Sequence, residues 1–156
     1  METGEMLDIL ESYKDRGLND NSPPSSITTE AIFLSEGTAL GSTAPLAYKF
    51  VLVANLNHYI MIFGLISEYP YHAHLVSAFC ARRGIASHWI GQPDCKQIDD
   101  PQYRTLGGGY IDIDMSRKSA RISGASKAYG FYDTEAVRWV AGAAPFFSGF
   151  SVSFEY

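Results

Sequence analysis

The chain alternates most clearly around its middle. In residues 110–115, Tyr110, Ile111, Ile113 and Met115 interleave with Asp112 and Asp114, and residues 120–123 continue the pattern after the polar Ser116, Arg117, Lys118 and Ser119. A period of two interrupted by a short polar turn predicts a β-hairpin. Upstream, residues 48–55 (YKFVLVAN) place Phe50, Val51, Leu52 and Val53 in succession, the pattern of a strand buried on both faces. Residues 55–58 (NLNH) supply a turn and 59–66 a second apolar strand, so these two are expected to pair. After Pro70 the period lengthens: Leu75, Val76, Phe79 and Cys80 form the stripe of a helix starting near His72, with Arg82 and Arg83 at its end and Gly84 as its stop. Residues 85–90 predict a short strand, and 91–104, with two prolines and several aspartates, a long polar loop. Asp133 predicts the N-cap of a second helix through Ala136, Val137, Val140 and Ala141, ending near Gly142 or Pro145. Phe150, Val152 and Phe154 alternate with serines in a last strand.

The first 45 residues pattern differently. Met6, Leu7, Leu10 and Tyr13 share one helical face and predict a short amphipathic helix over 3–16. Residues 19–26 (NDNSPPSS) read as a turn or linker, 31–34 as a short strand and 37–45 as loop. The expected architecture is α+β: a mostly antiparallel sheet of about six strands flanked by two helices over residues 46–156, with residues 1–45 as an N-terminal extension.

Composition narrows the function classes. At 156 residues, with 46% apolar and 19% charged residues, the chain suits one soluble globular domain. A formal charge of −5 weighs against nucleic acid as the partner. The two cysteines, Cys80 and Cys95, make neither a disulfide framework nor a zinc spacing, and predict free thiols in a reducing compartment. The N-terminus has no charged-then-apolar leader, and no run of 18 apolar residues occurs. The expectation is a cytoplasmic protein without membrane partners, a monomer by default.

Candidate chemistry concentrates in the glycines. Gly107, Gly108 and Gly109 precede the hairpin, and its second strand runs into Gly124-Ala125-Ser126-Lys127-Ala128-Tyr129-Gly130. Small residues between a strand and a helix can aim several backbone N–H groups at one point, an anion-binding nest; the plainer alternative is a strand-to-helix connection. Neither GxxxxGK[ST] nor GxGxxG is present, so the nucleotide-binding motifs fail on spacing. Ser126 is not in a GxSxG elbow and is a candidate phosphate ligand rather than a nucleophile. Lys49 and Lys127 are candidate anion-binding cations. His72, at a helix start after a proline break, has the side chain suited to acid–base work near neutrality. His74 points elsewhere on the same helix, so no metal pair is expected, and His58 and His88 read as structural.

Three matches in the same order resemble one family. They are Tyr48-Lys49-Phe50-Val51-Leu52, Tyr71-His72-Ala73, and Leu106-Gly107-Gly108-Gly109 followed by the Gly124–Gly130 loop. Together, over residues 48–156, they resemble the Janus (Ocnus) proteins, which include the eukaryotic protein histidine phosphatases. The resemblance implies a small α+β fold and a phosphatase needing neither metal nor cofactor, acting on a phosphorylated protein or a small phosphoramidate. It implies that His72 activates water as general base, that Gly124, Ala125, Ser126, Lys127 and Ala128 hold the phosphoryl oxygens, and that Lys49 adds charge. The phosphatases carry an arginine after the glycine triplet where this chain has Tyr110, which offers one hydrogen bond and no charge. Lys127 is then the nearest substitute cation in sequence, with Arg82 and Arg83 further off. The segment 85–105 is longer than the family's, and the connection between the first two strands is shorter. The alternative expectations are a phospho- or acidic-ligand binding module of the same fold, and an interaction protein that docks a partner through its acidic N-terminal helix.

Overall fold

The computed structural model of the chain describes residues 23–35, 46–91 and 94–155. The helix expected over 3–16 and the loop over 37–45 lie outside these residues. The elements are β1 (Thr28–Phe33), β2 (Leu46–Asn55), β3 (His58–Leu65), α1 (His72–Arg83), β4 (Ser87–Ile90), β5 (Cys95–Ile98), β6 (Tyr103–Asp114), β7 (Ser119–Ser123), α2 (Thr134–Ala143), a 3-10 turn at Pro145–Phe147, and β8 (Ser151–Phe154). Six strands make one sheet in the order β1-β3-β2-β6-β7-β8. Its interior pairings, β2–β3, β2–β6 and β6–β7, are antiparallel. The edge strands β1 and β8 join in parallel to β3 and β7. The fold is therefore α+β, a mostly antiparallel six-stranded sheet with two helices. β1 falls within residues 1–45, so a boundary drawn at residue 46 runs between two strands of one sheet.

Successive residues of β2 and β3 serve different faces. Phe50, Leu52, Met61 and Phe63 pack with Ile111, Ile113 and the α2 residues Val137 and Val140. Val51, Val53, Ile60 and Ile62 pack with Leu75, Val76 and Phe79 of α1. One helix thus covers each face, which is why both strands read as continuous apolar runs. Each of these side chains contributes about 1.5–3 kcal/mol on full burial. The helix signals hold: Gly84 caps α1 at φ 64°, and Asp133 Oδ1 accepts the Ala136 N–H at 3.0 Å.

The expected long loop over 91–104 is a correction. β5 lies inside it and pairs antiparallel with β4 as a separate hairpin, and β6 begins at Tyr103 rather than Tyr110. A short polar strand (CKQI) and three glycines have little strand propensity; tertiary contacts supply what is missing. The hairpin is tied down from outside: the Tyr129 hydroxyl donates to Lys96 O at 2.7 Å and accepts from Lys96 N at 3.0 Å.

The glycine triplet sits inside β6 because the backbone is crowded there. A Cβ at Gly107 would run into the Phe131 carbonyl, and one at Gly108 into the Phe50 carbonyl. One at Gly109 would lie 2.5 Å from Ser123 O. The triplet lets the Gly124–Gly130 segment lie against the middle of the sheet, with Gly108 N donating to Gly130 O at 3.2 Å.

Candidate functional site

β2, β6, the start of α1, the β4–β5 hairpin and the Gly124–Gly130 segment meet around a cleft of about 450 Å³. Its lining includes Lys49, His72, Tyr110, Lys127 and Ala128, together with Pro70, Tyr71, Asp94 and Cys95. Lys49 and Tyr110 are cross-strand neighbours of β2 and β6. His72 is the first residue of α1, which brings its ring over the same point: the His72 and Tyr110 rings meet edge to face at 5.4 Å.

His72 is buried, at 6% exposure. Its Nε2 lies 2.9 Å from Gly109 O. A carbonyl only accepts, so Nε2 carries the proton in the neutral ring and Nδ1 keeps its lone pair. Gly108 is what makes room: a Cβ there would stand 3.3 Å from His72 Cδ2 and 3.2 Å from Ser126 Cβ. Burial pushes the His72 pKa down and the nearby Lys49 charge adds to this, against the opposing pull of the Gly109 hydrogen bond. The ring is therefore neutral, and able to take a proton, at pH 7.

This shift has a stability consequence. The unfolded chain, with an ordinary histidine pKa of about 6.5, binds a proton at acidities where folded His72 does not. Folding is then penalised as pH falls from about 6.5 through the lower folded pKa, and the penalty levels off below it. Urea midpoints measured between pH 7.5 and 5 should fall with acidity in the native protein, and fall less in His72→Gln. Equal slopes would contradict a buried neutral imidazole.

Lys49 is almost as buried, at 9% exposure, and its Nζ donates to Pro70 O. Burial lowers its pKa. The loop spends part of its own hydrogen-bonding capacity. Ser126 N donates to Gly130 O, Gly130 N to Ser126 O, and Tyr129 N to Ser126 Oγ at 3.1 Å. The amides of Gly124, Ala125, Lys127 and Ala128 take part in none of these bonds.

The candidates separate accordingly. Lys49, His72, Tyr110, Lys127 and Ala128 come together on the cleft. Ser126 is buried behind it, with its hydroxyl engaged by Tyr129. Gly124, at φ 72°, supports the Tyr110 ring, since a Cβ there would stand 2.8 Å from Tyr110 Cδ2. Ala125 is exposed and outside the lining. Arg82 and Arg83 are committed elsewhere, Arg82 to Leu34 O and Arg83 to both carboxylate oxygens of Glu30, and neither lines the cleft. His58 bridges Thr28 and Glu30, and His88 bonds Asp99, both structural pairings. Asp94 and Cys95, which the sequence pattern did not mark, reach the cleft through the β4–β5 hairpin. No group of three or more His, Cys, Asp or Glu side chains is arranged to hold a metal among the described residues, and no helix among them is long and apolar enough to cross a membrane.

No known family model matches the chain, and no curated protein matches it.

Proposed function

We propose that the cleft is the active site of a metal-independent phosphohydrolase of the Janus (Ocnus) kind, acting on phosphohistidine or a related phosphoramidate in the cytoplasm. The observation that carries this reading is His72: buried, neutral at pH 7, with Nε2–H anchored on Gly109 O and Nδ1 left to accept a proton. Lys49 and Lys127 line the same cleft and favour an anionic group there. The Lys127 and Ala128 amides are the donors available to the phosphoryl oxygens. In the reaction, His72 Nδ1 takes a proton from water as the water oxygen bonds to phosphorus. The P–N bond breaks and its electron pair stays on the departing nitrogen. That nitrogen takes up a proton, which the imidazolium can return. A P–N bond is labile enough for a positioned base and a preorganised anion site to suffice.

The test is release of inorganic phosphate from phosphohistidine by purified protein in excess EDTA. Activity that chelation abolishes and zinc or manganese restores would overturn the metal-independent assignment. In the same assay, Lys127→Ala should weaken phosphate binding by about 1.5–3 kcal/mol, the worth of a charged hydrogen bond, with a smaller effect on the chemical step. An unchanged inhibition constant for phosphate would remove Lys127 from the site.

Two residues favour a second reading, a binding module of the same fold. Tyr110 replaces a cation of the resembling phosphatases, and Asp94 adds a carboxylate to the lining. Phosphopeptide binding without phosphate release is the result that would select it.

A further inference from the structure

A second groove, of about 370 Å³, opens between β5 and the first residues of β6, and shares Cys95 and Ala128 with the His72 cleft. The two therefore adjoin at these residues. The groove is walled by strand edges. Along residues 103–105, β6 pairs with β2 on one side, while β7 joins its other side only from Tyr110 onward. Among the described residues β5 pairs with β4 alone, and on its outer edge the Tyr129 hydroxyl holds both backbone groups of Lys96. That bond fixes the end of the groove next to Ala128. Open strand edges take up extended peptides through main-chain hydrogen bonds, with neighbouring side chains setting preference.

The charges are one-sided. Among the described residues, Lys96 and Arg104 line the groove and no carboxylate does, in a chain whose formal charge is −5. Lys96 Nζ lies over the Trp89 ring at 4.7 Å. Arg104 is exposed and has no ion-pair partner among the described residues. At roughly 3.3 Å per extended residue, the Tyr103–Thr105 edge spans about three residues of a bound strand, with Tyr103 N already donating to Asp100 O.

We propose that this groove receives an extended polypeptide segment bearing carboxylates next to the phosphorylated residue, so that an acidic stretch of protein is preferred as substrate over a free phosphoramidate. The proposal rests on the His72 cleft being the phosphoryl site. The segment continues from that cleft past Ala128 and Cys95, and Arg104 meets its carboxylates.

The experiment uses short fluorescein-labelled peptides carrying a stable phosphoryl-triazole analogue of phosphohistidine, flanked by Glu or by Lys, titrated with the full chain. Hydrolysis of inorganic phosphoramidate is measured in parallel. The Glu-flanked peptide should bind about tenfold more tightly or better. Arg104→Glu should erase that preference, Arg104→Lys should keep most of it, and phosphoramidate hydrolysis should be the same in all three proteins. Equal binding of the two peptides, or a preference that survives Arg104→Glu, overturns the groove. If phosphoramidate is still hydrolysed in that case, the cleft assignment stands by itself. A preference that depends on Arg104, in a protein that hydrolyses nothing, supports the groove and rejects the phosphohydrolase. Absence of binding by either peptide overturns the proposal outright.

Discussion

His72→Ala should lower phosphohistidine turnover by about a hundred- to ten-thousand-fold, the usual contribution of a positioned general base, and should leave phosphate affinity little changed. The separation follows from the geometry. In the proposed site the anion is held by Lys49, Lys127 and the loop amides, whereas the imidazole would act on the attacking water. Alanine at this buried position also opens a cavity and strips Gly109 O of its partner, so some stability is lost as well. His72→Gln is the sharper variant: its amide can still donate toward Gly109 O but cannot take the proton. A folded Gln variant with native turnover would remove His72 from the chemistry.

Gly107→Ala should destabilise the fold by about 3–5 kcal/mol, combining overpacking with a left-handed backbone forced on a residue that carries a Cβ. That is a large part of the 5–15 kcal/mol typical of a domain. Gly107 has φ 87°, and its missing Cβ is replaced in space by the Phe131 carbonyl, with Tyr132 Cα at 2.7 Å. These are backbone atoms braced on both sides by Gly108 N to Gly130 O and by Asp133 N to Leu106 O, so they cannot yield cheaply. Gly130→Ala is the internal control. It has φ 84° but nothing within 4 Å of the added carbon, and should lose only the conformational part, about 1–2 kcal/mol. Equal urea midpoints for the two variants would show that the close approach at Gly107 is not a constraint.

The sheet was legible where side-chain pattern and burial coincide. The apolar run at 50–53 is buried because two helices cover the sheet, and the caps at Gly84 and Asp133 follow local rules that tertiary structure did not overrule. β5 and the first half of β6 were illegible for the opposite reason. CKQI and LGGG are weak strand formers, held in place by Tyr129, by β2 and by backbone contacts between residues distant in sequence. The same blind spot hid Asp94 and Cys95. His72, Lys49 and Lys127 were visible individually, but their meeting depends on the β2–β6 register and on where α1 begins. Ser126 shows the limit of motif logic: a small-residue loop marked it as a ligand, but not that it would be buried or that its Oγ would accept the Tyr129 amide.

Phosphoryl transfer from a P–N bond to water, with His72 as the base, is tested most directly by ³¹P NMR of phosphohistidine mixed with the purified chain in EDTA, with His72→Gln alongside. The native protein should convert the phosphohistidine signal to inorganic phosphate well above the spontaneous rate. The folded Gln variant should bind phosphate with similar affinity and fail to accelerate the conversion. Equal rates for the two proteins, or a native protein that broadens the phosphohistidine signal without consuming it, would contradict the account.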